Sequence, residues 1–89
     1  SQGNADNMPT AELTEADFAD GKMDILTVLV KAGLVSSRSE ARRAVQQGGV
    51  AVDGEKVTDI ATTYEPASFD GDGVIVKKGK KNFRRVVVK

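Results

Sequence analysis

Ser37-Arg38-Ser39-Glu40-Ala41-Arg42-Arg43-Ala44-Val45-Gln46-Gln47-Gly48-Gly49 decides the fold of this 89-residue chain. Ser37 suits a helix N-cap, and Glu40 three residues on completes a capping box that satisfies two otherwise orphaned backbone N–H groups. Gly48 and Gly49 can take the left-handed conformation that ends a helix. At about 100° per residue, Ala41, Ala44 and Val45 share one side. Ser39, Arg42, Arg43 and Gln46 gather roughly opposite, and Arg38 sits between the two groups. One face can therefore pack on a core while the other presents guanidinium forks.

Working outward, Asp24 can cap a helix from Ile25 to Ala32. Apolar residues cover most of its circumference, and only Thr27 and Lys31 mark a polar arc. Such a helix belongs in the middle of a core. Gly33 ends it, and Leu34-Val35 lead directly into the capped helix, which predicts an αα-hairpin. After Gly49 the apolar pattern changes from helical to alternating. Val50-Ala51-Val52, Asp53-Gly54 and Glu55-Lys56-Val57 predict a two-residue hairpin, because Asp-Gly suits a type I′ turn. Val50 then lies opposite Val57 and Ala51 opposite Lys56, with Lys56 pointing away from the valine face. Val74–Lys78 reads as a strand, Gly79–Asn82 as a turn and Phe83–Val88 as the returning strand. Tyr64 and Phe69 read as packing aromatics. The Asp70-Gly71-Asp72-Gly73 run reads as a turn, since it lacks the later ligands and closing glutamate of a calcium loop.

The expected fold class is α+β, a single domain over residues 23–89 with the αα-hairpin packed on a small, mostly antiparallel sheet. Residues 1–22 form a leader. Its first eleven positions are poor in apolar residues and read as a disordered arm. Thr14 and Asp17 predict one or two helical turns over Glu15–Asp20, closed by Gly21. Leu13 and Phe18 either pack this leader on the body or are incidental in a linker, and the sequence leaves both open.

The chain has no cysteine and no histidine. Disulfides, thiolate zinc sites, cysteine nucleophiles and imidazole bases are thereby excluded together. No metal and no cofactor is expected. No apolar run approaches a membrane span and no signal peptide opens the chain, so a cytoplasmic location and no membrane partner are expected. The net charge of zero hides an asymmetry. Residues 1–24 carry six acids and one base (−5), and residues 25–89 carry twelve bases and seven acids (+5). Lys77, Lys78, Lys80, Lys81, Arg84 and Arg85 crowd the last hairpin. Taken alone, Lys77 and Lys78 read as guards of an edge hairpin against aggregation. Beside a basic helix face, the whole cluster points to nucleic acid. Aromatic residues are scarce, so backbone recognition of structured RNA is expected over base stacking.

Apolar helix, Gly33-Leu34, Ser-Arg-Ser-Glu-Ala-Arg-Arg, Gln-Gly-Gly and Val-Ala-Val-Asp-Gly-Glu-Lys-Val occur in one order. From Asp24 to Asp59 this resembles the alpha-L RNA-binding motif shared by small-subunit ribosomal protein S-four and many RNA-acting proteins. The family usually has Asn-Gly where this chain has Asp53-Gly54, and both suit the same turn. Upstream, Asn7-Met8-Pro9-Thr10-Ala11-Glu12-Leu13, and downstream, Gly79-Lys80-Lys81-Asn82-Phe83, resemble the C-terminal portion of bacterial tyrosyl-tRNA synthetases. That resemblance implies an appended, non-catalytic domain of a longer ligase, a homodimer in which this domain alone is monomeric. It implies binding of tyrosine tRNA at its long variable arm and anticodon stem, and neither ATP signature of such enzymes is present. The residues expected to touch RNA are Arg38, Ser39, Arg42, Arg43, Gln46, Lys56, Lys80, Lys81, Arg84 and Arg85. The alternatives are an RNA-binding module of another RNA-modifying or ribosome-associated protein and, from a different class, a protein-interaction module marked by an exposed apolar patch.

Overall fold

The two expected helices form where their caps and apolar faces place them. In the computed structural model, which describes residues 10–79 and 82–89, α1 spans Ile25–Lys31 and α2 spans Arg38–Gln46. Ser37 is extended, and its hydroxyl accepts the Glu40 N–H at 3.2 Å. The reciprocal half of the expected capping box is displaced by one residue. The Glu40 carboxylate accepts from the Ser36 N–H (2.8 Å) and hydroxyl (2.9 Å) rather than from Ser37. Those two bonds hold the Glu40 carboxyl below its ordinary pKa. Asp24 also departs from the simple cap. Its carboxylate goes to the Thr27 hydroxyl and to Arg38, while the Ile25 N–H is met by the Thr62 carbonyl at 2.9 Å.

Seven strands accompany the helices: β1 Thr10–Leu13, β2 Met23–Asp24, β3 Val50–Val52, β4 Glu55–Lys56, β5 Thr63–Tyr64, β6 Val74–Lys78 and β7 Asn82–Val88. Five build the main sheet in the order β1-β7-β6-β3-β4, and β2 pairs with β5. All ladders are antiparallel except β1 with β7. The fold class is therefore the expected α+β arrangement. The β3–β4 hairpin has the expected register: Ala51 faces Lys56, and the Val57 N–H reaches the Val50 carbonyl at 2.9 Å. Asp53 and Gly54 both have positive φ (51° and 87°), as a type I′ turn requires.

Side-chain alternation divides the main sheet into two faces. Val50, Val74, Val76 and Val86 are buried in one cluster with Ile25, Leu29, Ala41 and Val45, so the helices cover that face. Ala51, Ile75, Lys77, Phe83, Arg85 and Val87 alternate to the other face, and none of them is buried. Phe69 caps one end of the core, edge-on to Phe18 at 5.9 Å and tilted to Tyr64 at 6.0 Å. Pro66–Phe69 is a 3-10 turn, which brings Phe69 inward.

Of the leader expected over residues 1–22, residues 1–9 lie outside the described residues. Thr10–Leu13 joins the sheet beside β7, in register from Thr10 opposite Arg85 to Leu13 opposite Val88. Leu13 and Phe18 are both buried. The helical turns expected over Glu15–Asp20 shrink to one 3-10 turn, Glu15–Asp17. The Asp17 carboxylate closes it on the Thr14 N–H at 2.9 Å, and positive φ at Asp20 and Gly21 then reverses the chain.

Candidate nucleic-acid interface

Burial of Ala41, Ala44 and Val45 fixes the rotation of α2, which leaves Ser39, Arg42, Arg43 and Gln46 exposed together. Glu40 is turned back onto Ser36. Among the described residues no carboxylate pairs with Arg42 or Arg43. Their planar forks are open to a bidentate acceptor such as phosphate.

The other three arginines expected at the surface are engaged by the fold itself. Arg38 donates to Asp24 at 2.8 Å and to the Thr27 hydroxyl, tying the start of α2 to the start of α1. Arg84 lies on the helix side of the sheet. It donates to the carbonyls of Ala32 (2.7 Å) and Gly33 (3.3 Å), where α1 has run out of internal partners and its dipole favours a cation. Arg85 lies on the opposite face and donates to the Asp72 carbonyl at 2.8 Å.

The Asp24–Arg38 link has a pH signature. Partial burial alone would raise the Asp24 carboxyl, but hydrogen bonds from Thr27 and Arg38, with the Arg38 charge, outweigh it and hold the group below its ordinary value. The unfolded chain thus binds this proton more tightly. The stabilisation is complete above the unfolded carboxylate pKa of about 3.9 and is lost as pH falls through the lower folded value. Acidification below about pH 5 should lower the melting temperature, and Asp24→Asn should flatten that fall. The fall persists in some measure, because the Asp17 and Glu40 carboxyls are also held low.

Lys56 points away from the buried valines, as expected, and its ammonium reaches over Gly48, 3.7 Å from where a Cβ there would stand. It borders a hollow of about 470 Å³ whose walls include Gly48, Gly49, Gly54, Gly79 and Lys77. Lys77 and Lys78 guard no open edge, because β6 is central in the sheet, between β7 and β3. Lys78 instead lies on the helix side, where its charge helps to lower Glu40. Lys77 stands over the ring of Phe83, 5.7 Å from its centre, and Phe83 is the exposed large hydrophobic residue among those described. Neither belongs to the expected site, although the hairpin register (Lys77 opposite Phe83) is enough to place both on one face. Lys80 and Lys81 lie outside the described residues.

Among the described residues no group of histidine, cysteine or acidic side chains could hold a metal, and no helix is long and apolar enough to cross a membrane. A family model described as the tyrosine–tRNA ligase SYY-like C-terminal domain matches residues 1–86. A tyrosine–tRNA ligase of Clostridium perfringens is 38% identical over 86 residues, covering 97% of this chain and 20% of the relative. That of Lachnoclostridium phytofermentans is 44% identical over 80 residues, 89% of this chain and 19% of the relative. That of Clostridium botulinum is 43% identical over 82 residues, 92% of this chain and 19% of the relative. This chain thus spans about a fifth of the length of the ligases it matches, 19–20% in these three. It belongs to the family of tyrosine–tRNA ligase C-terminal domains.

Proposed function

We propose that this domain binds tyrosine tRNA by the backbone of its long variable arm and anticodon stem. It would thereby position the tRNA for aminoacylation by the rest of a longer ligase. Family membership supports a tRNA-binding role. The observation that carries the site is the pairing of Arg42 and Arg43. Both are exposed on a capped helix and neither forms a salt bridge among the described residues, although Arg43 feels the Glu40 charge three residues before it, in a chain whose Arg38, Arg84 and Arg85 are held by protein groups. Arg42 and Arg43 grip phosphates, and Ser39 and Gln46 hydrogen-bond phosphate or ribose. Lys56 continues the track past the end of α2, and Lys80 and Lys81, from the sequence alone, add positive charge to it. Arg38 and Arg84 orient the two helices and add positive potential.

Titration with a tRNA carrying a long variable arm, at several salt concentrations, tests this. Four to six phosphate contacts give a log–log salt slope of roughly −3 to −5. The double variant Arg42→Ala, Arg43→Ala should bind about 10- to 100-fold more weakly, with a slope shallower by about 2 and an unchanged circular dichroism spectrum. Binding that ignores salt, or a double variant that binds as tightly as the parent, would overturn the assignment.

A further inference from the structure

Strand pairing lines up Lys56, Ala51, Lys77 and Phe83 in one row across β4, β3, β6 and β7, on the sheet face that the helices leave uncovered. The hollow beside this row is walled by four residues without side chains, Gly48, Gly49, Gly54 and Gly79, so a ligand can approach the backbone closely there. Lys56 and Lys77 stand at its rim, and none of its lining residues is acidic. The neighbouring hollow, lined by Glu55 and Asp59 among others, lacks that selectivity for an anion. Phe83 adds a second kind of chemistry. Its exposed ring lies under the Lys77 ammonium, so a phosphate drawn to Lys77 brings its own base within reach of an aromatic surface.

We infer that this face extends the RNA contact beyond Lys56 and takes one unpaired nucleotide. Its phosphate sits between Lys56 and Lys77 over the glycine wall, and its base stacks on Phe83. The inference rests on the RNA-binding reading and adds to it a preference for a base released from pairing, since a base inside a duplex has both faces covered by its neighbours. It also revises the expectation from composition. Few aromatic residues do not preclude stacking when one of them is exposed beside two lysines.

The chain contains no tryptophan, so Phe83→Trp introduces a single fluorescent reporter at an exposed position. The probe is a four-adenosine RNA at low salt, beside a fully paired RNA hairpin. The expected results are quenching of Phe83→Trp fluorescence by the tetranucleotide and about tenfold weaker tetranucleotide binding by Phe83→Leu. An unchanged amide spectrum would show that Phe83→Leu is folded. Tetranucleotide binding without quenching, or equal affinity of Phe83→Leu, would overturn the inference. If the paired hairpin binds and the tetranucleotide does not, this inference alone fails. If neither binds, the RNA-binding reading fails with it.

Discussion

Gly73→Ala is expected to destabilise the domain by about 3–5 kcal/mol, a large share of what holds a chain of this size folded. A Cβ at Gly73 would stand 2.2 Å from the Val86 carbonyl oxygen and 2.6 Å from a Val87 methyl, at a φ of +80°. The obstacle is backbone in the β6–β7 ladder, and Val86 is itself fully buried. Relief would need a shift of the ladder that pairs Val74 with Val86. Gly71 supplies the control, because its φ of +73° is similar but its Cβ would meet nothing within 4 Å. Gly71→Ala should cost only the backbone penalty, about 1–2 kcal/mol. Urea unfolding of both variants gives the comparison. Equal midpoints would show that the close approach at Gly73 is relaxed in solution.

Leu29→Ala should cost about 2–5 kcal/mol. Leu29 is 0% exposed and sits midway along α1, among Ile25, Val28, Val45 and the sheet valines of the same core. Removing three carbons there leaves a cavity that the ladders around it cannot close. Val30→Ala, on the partly exposed flank of the same helix, should cost clearly less. At temperatures where Leu29→Ala remains folded, its RNA affinity should match the parent, because α2 keeps its exposed face. A Leu29→Ala midpoint close to that of Val30→Ala would mean that α1 does not lie at the centre of the core.

What is legible in the sequence is what depends on near neighbours. Ser37 and Gly48 bound α2, Asp53-Gly54 sets the register of its hairpin, and both can be read over a few residues. The β1–β7 pair joins segments from opposite ends of the chain, and Thr-Ala-Glu-Leu alternates but is only four residues long and rich in the helix formers Ala, Glu and Leu, too little to announce a strand. The two-residue strands β2 and β5 are likewise set by where the core brings them. The site shows the same division. Arg42 and Arg43 can be placed on a face by helical period alone. The commitments of Arg38 and Arg84 cannot, because their partners lie 14 and 52 residues away in sequence. The edge position expected of Lys77 and Lys78 fails because strand order, unlike hairpin register, is a non-local property. Phe83 becomes a site residue only once β4, β3, β6 and β7 are aligned.

The parallel β1–β7 ladder also governs how the domain carries load. Tension that reaches β1 through the chain before Thr10, opposed at the far end of β7, acts along the strands and strains all four residue pairs together. An antiparallel hairpin pulled at its open end would instead unzip rung by rung. The attachment of β1 therefore resists shear, and its four residue pairs must break together rather than in turn.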